Sequence, residues 1–233
     1  MEFSNDDFLA HLDEFEALYK ERPVKGNFGG THSPHLFYLW YMLKKLQPSV
    51  VIESGIWRGQ STWLIEQAVP DAVIHSFDIR HDLIEYHGKN VNYYNHDVTQ
   101  CEVEDWPEDT FAFWDDHVDP VRRLDWCADS GIHHMIFDDN YPNGNNPKLD
   151  KERNGLMSLK RYYDKAQGFF GVFPINLEII TVNEFPPIFA DTVNRWGEPW
   201  DSHETKPPLK AQGDNSIYFK ERKDYTWPVY VRI

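Results

Sequence analysis

Two acidic clusters and one glycine turn hold most of the chemistry-bearing side chains of this chain. Trp114-Asp115-Asp116-His117 and Phe137-Asp138-Asp139-Asn140 each close an apolar run, and Asp115 and Asp139 lie 24 positions apart. Four carboxylates and an amide carbonyl on one rim cannot all stay ionised without a compensating cation. Hard oxygen donors of this kind suit Mg²⁺, Mn²⁺ or Ca²⁺. The same residue types also cap helices and shape turns, so the alternative is a purely local role. The glycine turn is Glu53-x-Gly55-x-x-x-Gly59-x-Ser61, directly after Val50-Val51-Ile52. Glycine lets the chain turn sharply and lets a ligand reach the backbone. The helix that opens at Ser61-Thr62 presents free N–H groups at that turn. A second apolar run, Val73–Phe77, ends in Asp78, 23 positions after Gly55. An acid at that separation commonly holds a ribose diol. The chemistry implied is a nucleoside-cofactor half-site beside a cation site.

These residues need strands to carry them. The apolar pattern predicts helices over 3–20 and 34–46, the second with Pro34 in its first turn. Strands are predicted at 50–54, 73–78, 91–95, 111–115 and 133–138, with helices near 60–68 and 119–130 and a short helix or turn near 81–88. Strands alternating with short helices imply right-handed βαβ units and a parallel sheet, whose ligands sit outside the carboxyl ends of the strands. Glu53, Asp78, Asp97, Asp115-Asp116 and Asp138-Asp139 all fall at such ends. A helix is expected over 154–166, and 168–210 reads as an irregular, aromatic-rich insertion on the substrate side. There, Phe185, Phe189, Trp196 and Trp200 are expected in the core or partly on a pocket wall. Residues 215–220 and 228–233 read as a terminal antiparallel pair. The expectation is one α/β domain over 1–233, a Rossmann-like, doubly wound, mostly parallel sheet with helices on both faces and a C-terminal antiparallel hairpin. Residues 1–48 form a helical segment whose Gly29-Gly30 loop, with His32 and His35, suits a lid.

Composition narrows the function classes. A chain of 233 residues can bury a core without disulfides or structural metal. Its formal net charge of −15 disfavours nucleic acid and anionic membranes as partners. Two cysteines, Cys101 and Cys127, make no disulfide framework and fit a reducing cytoplasm. No basic-apolar leader, spanning apolar run or Asn-x-Ser/Thr acceptor stands in the sequence. His133-His134, at the start of a strand, reads as structural, and neither cysteine has a His partner suited to nucleophilic catalysis.

The glycine turn is neither Gly-x-Gly-x-x-Gly nor a Gly-Lys-Ser/Thr loop. Here the chain resembles the class I S-adenosylmethionine (SAM)-dependent methyltransferases. More narrowly, Glu-x-Gly-x-x-x-Gly-x-Ser resembles the metal-dependent small-molecule O-methyltransferases of the catechol and macrolide-sugar type. The resemblance spans roughly residues 34–140. It implies cofactor contacts at Glu53, Gly55, Trp57, Gly59, Ser61, Asp78, Asp97 and Asp115. It also implies a divalent ion, Mg²⁺ by preference, on Asp115, Asp139 and Asn140, with Asp116 the rival to Asp115. The catechol-type enzymes carry a Lys three residues after the first metal Asp, where this chain has Val118. His117 is then the nearest candidate for proton acceptor, with a solvated histidine the alternative.

The expected activity is therefore methyl transfer from SAM to a hydroxyl oxygen of a small molecule, with no nucleic-acid or membrane partner and a homodimer left open. Two other classes remain. One is a metal-dependent nucleotide-sugar glycosyltransferase, which has no need of the glycine turn. The other is a non-catalytic binding module, against which the clustered charge argues because it is costly to keep.

Overall fold

The computed structural model describes residues 3–101, 105–140, 181–195, 197–200 and 206–233. The element order is α1 (Asn5–Lys20), α2 (Ser33–Leu46), β1 (Val50–Ser54), α3 (Gln60–Ala68), β2 (Val73–Phe77), β3 (Val91–Tyr94), β4 (Phe111–Trp114), α4 (Pro120–Asp129), β5 (His134–Phe137), β6 (Thr181–Glu184), α5 (Ile217–Lys220) and β7 (Val229–Arg232). Single 3₁₀ turns occupy His81–Leu83 and Val98–Gln100. The predicted helix over 154–166 lies outside the described residues.

Seven strands make one sheet in the order β3-β2-β1-β4-β5-β7-β6. Strands β1 to β5 are mutually parallel, and β7 runs antiparallel to both its neighbours. The chain winds outward from β1 through β2 to β3, then returns to start β4 on the other side of β1. The direction of winding reverses there, and the crevice opens between the carboxyl ends of β1 and β4. All five residues of β1 are buried, as a central parallel strand requires.

Side chains alternate between two cores because the pleat has period two. Phe113, Ile136 and Tyr230 face the layer of α1, α2 and α3, where Phe8, Phe15, Phe37 and Trp40 pack. Ile52, Ala112, Met135 and Val231 share one register row and face α4, meeting Leu124 and Cys127. Helix α2 is buried from Ser33 to Leu43, which explains why its sequence is apolar nearly all round. Its first turn thereby comes close to the sheet's active edge.

The terminal antiparallel pair differs from the expectation in its partner. β7 pairs with β6, while 217–220 forms the helical turn α5. Local capping decides it: the Ser216 hydroxyl accepts from Phe219 N–H, and Asp214 accepts from Ser216 N–H at 2.9 Å.

The sheet's acidic edge is braced from below by Arg123 of α4, which is 1% exposed. Its guanidinium donates to both oxygens of Asp97 at 3.1 and 2.7 Å and, through Nε, to Asp116 at 2.9 Å. It also lies 5.2 Å from the Trp114 ring centroid. The guanidinium holds the Asp97 carboxyl well below the usual carboxylate range. Since the folded pKa is depressed, this stabilisation is present above the unfolded value of about 3.9 and fades as pH falls below it.

Two stability predictions follow from these contacts. A Cβ on Gly55, whose φ is +97°, would stand 2.3 Å from the Asp115 carbonyl oxygen. Gly55→Ala is therefore expected to lose about 2 kcal/mol or more in urea unfolding, from strain plus backbone displacement. Gly26→Ala, with nothing within 4 Å of its Cβ, stays within about 0.5 kcal/mol. Asp97→Asn is expected to lose about 2 kcal/mol at neutral pH, with the gap to the parent protein closing below about pH 4. A gap that stays constant down to acid would show that the ion pair carries none of that stability.

Candidate active site at the carboxyl edge of the sheet

A cavity of about 600 Å³ opens at the carboxyl ends of β1, β2 and β4. Gly55, Trp57, Asp78, Asp97, Asp115 and His117 all lie on its wall, together with Asp116 and Asp138. Of the expected site residues, these are the ones the fold brings together.

The glycine turn is held by Asp78. Its Oδ2 accepts the Ile56 and Trp57 N–H groups at 2.9 and 3.1 Å, and its Oδ1 accepts Arg80 N–H at 2.8 Å. A carboxylate has about four acceptor positions, so capacity remains for a ligand hydroxyl. Gly55 must be glycine because its α-carbon packs on the Asp115 backbone. Three of the five described residues with left-handed φ despite a side chain, Trp57, His117 and Asp224, also lie on this cavity. Such strain persists only where the surroundings enforce it, and it gathers at ligand sites.

Glu53, Gly59, Ser61, Asp139 and Asn140 lie off the cavity wall, Asp139 buried just behind it. Glu53 is fully buried beneath the turn, where its Oε2 accepts from Thr62 and Ser76 hydroxyls, each at 2.6 Å. Burial pushes its carboxyl up. Its position ties the first turn of α3 to β1 and β2, and Ser61 is buried beside it in the same turn. Gly59 caps α3 with φ +86°, its α-carbon against the Tyr86 carbonyl. Asn140 is 1% exposed, and its amide nitrogen donates to the Trp227 carbonyl at 3.2 Å.

The second wall is acidic. One ligand atom each from Asp115, His117 and Asp139 lie within 4.8 Å of one another. His117 Nδ1 is hydrogen-bonded to Asp139 Oδ2. That bond pushes the imidazole up to about 9, so the ring is cationic at neutral pH and gives up a proton to serve as ligand or base. Burial, and then the charges of Asp138 and Asp139, push the Asp115 carboxyl well above the usual range. A cation between these groups would relieve both costs. Asp116, the rival to Asp115, is held by Arg123 and by the Ser54 hydroxyl at 2.5 Å. Asp115 is thus the one of the two that stands with Asp139 and His117. Arg195 lies on the same wall, 3.8 Å from Asp139.

The loop before α2 covers the cavity. Thr31 donates to Asp115 Oδ2 at 2.6 Å, and Trp57 Nε1 donates to the Phe28 carbonyl at 3.1 Å. His35, in the first turn of α2, also reaches the wall. Sequence reasoning did not single out Thr31, Arg123 or Arg195. An arginine inside an amphipathic helix carries no local signal of burial, and only packing reveals that Arg123 is 1% exposed. Phe185, Phe189 and Trp200 are buried away from the cavity, while Trp196 lies outside the described residues. No described helix is long and apolar enough to cross a membrane.

No known family model matches the chain, and no curated protein does. Solved structures similar to it include CmcI with S-adenosylhomocysteine (SAH), at 16% identity over 47% of this chain and 62% of that one, TM-score 0.43. The chain spans 52 to 62% of the length of the CmcI structures it matches. A SAM-dependent O-methyltransferase from Thermotoga maritima aligns at 12% identity over 99% of this chain and 71% of that chain, TM-score 0.47. The SAH-bound Podospora anserina methyltransferase PaMTH1 aligns at 16% identity over 77% of this chain and 83% of that chain, TM-score 0.47.

Proposed function

We propose that this protein transfers a methyl group from SAM to a hydroxyl oxygen of a small molecule, with a divalent ion at the acidic wall. The observation that carries this reading is the continuity of one cavity from the Gly55–Asp78 turn to Asp115 and His117. A nucleoside donor and an oxygen acceptor would sit side by side there, which converts a two-body encounter into an oriented one.

On the donor side, Asp78 suits a ribose diol, and Phe77, Ile79 and Val118 offer apolar surface for a purine face. The backbone at Gly55 carries no side chain and lets the ligand approach closely. The side chain of Asp97 serves by holding Arg123, and so fixes the rim on which His96 and Asp97 stand. SAM supplies an already activated methyl group, so orientation and electrostatics are what the chain must provide. On the acceptor side, Asp115 and Asp139 with His117 fit a hard cation, Mg²⁺ by preference. Such an ion would lower the pKa of a hydroxyl bound to it. The Thr31 bond to Asp115 closes the loop over this corner and excludes water. The small molecule enters past Phe28 and Ile79, which are 89% and 74% exposed at the mouth. The neighbouring methyltransferases with SAM or SAH in their names accord with this reading, as does the Mg-SAM complex of CmcI.

Four measurements test it. Mass spectrometry of the purified protein is expected to find SAM or SAH retained, and calorimetry to give binding of SAM and none of a UDP-sugar. Asp139→Ala is expected to abolish Mg²⁺ binding while leaving the SAM dissociation constant within about twofold, since Asp139 belongs to the acidic group and Asp78 holds the glycine turn. Turnover on a panel of catechols, flavonoids and sugars is expected to stop with EDTA and return with Mg²⁺. Full turnover in EDTA would remove the metal from the scheme, and binding of the UDP-sugar in place of SAM would remove methyl transfer.

A further inference from the structure

His35 and Asp138 form a second ionisable pair in the same cavity, separate from the Asp115–His117–Asp139 group. Both side chains are buried, at 7% and 6% exposure, and both lie on the cavity wall. His35 Nδ1 is 3.0 Å from Asp138 Oδ1. The pair is assembled from three distant segments: His35 from the first turn of α2, Asp138 from the end of β5, and Thr226 from the approach to β7.

The hydrogen bonds fix the tautomer. Nδ1 has two neighbours, the Asp138 carboxylate at 3.0 Å and Thr226 Oγ1 at 3.5 Å. The carboxylate is an acceptor. The Thr226 hydroxyl proton goes to the Asp138 main-chain carbonyl, 2.6 Å away. Both neighbours therefore require a proton on Nδ1, and the lone pair is left on Nε2. The other contact of the ring is Tyr225, whose centroid is 5.6 Å away and whose hydroxyl donates to the Phe185 carbonyl. No hydrogen bond from a described residue reaches Nε2, and the ring lies on the wall of this cavity and of a small adjoining pocket beside Pro34, Phe189 and Tyr225. The charged groups sharing this stretch of wall are Asp115, Asp224, His32 and Arg195.

We propose that His35, oriented by Asp138 and Thr226, is the group that takes the proton from the acceptor hydroxyl. This rests on the methyl-transfer reading and names the base that reading leaves open. Val118 stands where a lysine is expected, and His117 is engaged by Asp139 within the cation site. In the step, the acceptor O–H bond breaks and its proton goes to His35 Nε2. The oxygen electron pair forms the new C–O bond, the C–S bond of SAM breaks, and its electron pair stays on sulfur, which becomes neutral. The imidazolium that results lies against the Asp138 carboxylate, which stabilises it, and then releases its proton through the open mouth of the cavity.

The test combines a direct view of the ring with kinetics. Long-range ¹H–¹⁵N NMR of ¹⁵N-histidine protein, assigned with His35→Gln, is expected to show the proton of His35 on Nδ1. His35→Ala is expected to lower kcat on the hydroxyl compounds methylated by the parent protein by about 100-fold or more. SAM affinity, read by calorimetry, stays within about twofold, and added imidazole restores part of the lost rate. Asp138→Asn, whose amide can donate, is expected to lower kcat and let the proton move to Nε2. A proton on Nε2 in the parent protein overturns the proposal. So does a His35→Ala enzyme with parental kcat, or one whose deficit imidazole does not relieve while its SAM affinity is intact. If the parent protein binds no SAM and methylates no hydroxyl, the methyl-transfer reading itself falls and takes this one with it, and the NMR result separates the two failures.

Discussion

The site depends on how closely the ends of β1 and β4 are held together. The Asp115 N–H donates to the Ser54 carbonyl at 2.8 Å, and the Gly55 N–H donates to the Phe77 carbonyl at 2.9 Å. These two bonds carry the parallel ladders one step beyond the strands, so three strand ends finish level. The turn after β1 must then pass against the Asp115 backbone, where only glycine fits. Loosening that junction would separate the half of the cavity suited to a nucleoside from the half that is acidic. Because the sheet is parallel here, every strand delivers its last residue to the same edge.

That geometry creates an electrostatic problem, which the fold answers acid by acid. Asp97 and Asp116 share Arg123, Asp138 has His35, and Asp139 has His117. Asp115 accepts from the Thr31 hydroxyl and has the His117 ring nearby. It is also the carboxyl that burial, and then the charges of Asp138 and Asp139, push well above its usual range. Acids packed this closely repel one another, and a site that gathers Asp115, Asp139 and His117 suits a cation once the His117 ring has given up its proton. The partners come from separate parts of the chain: Thr31 and His35 before β1, Arg123 between β4 and β5. Covering loop, helix and sheet edge are therefore linked through the acids they share.

The alternation of strands and helices from 50 to 137 was readable because each strand is short, apolar and ended by a turn signal. β1 and α3 have the predicted bounds, the other strands and α4 differ by a residue at their ends, and the expected helix or turn near 81–88 is a single 3₁₀ turn over His81–Leu83. The C-terminal pairing was less readable. Residues 217–220 have strand-like composition, but Asp214 and Ser216 supply a local cap that wins over it. The partner of β7 lies 45 or more residues upstream, beyond the reach of any local pattern.

The sequence by itself determined that acids stand at the strand ends and that a glycine must follow β1. Both are properties of residue type and spacing, which periodicity and backbone sterics translate directly. What each acid does was decided only by tertiary structure. Asp115 and Asp116 are adjacent and chemically identical, yet one stands with Asp139 and His117 and the other is held by Arg123. Glu53 belongs to the glycine motif, yet it lies buried beneath the turn. His35 is 103 positions from Asp138, and the tautomer of its ring depends on a threonine a further 88 positions on. Successive residues of an extended segment point to opposite sides, and partners distant in sequence meet only when helices and sheet pack.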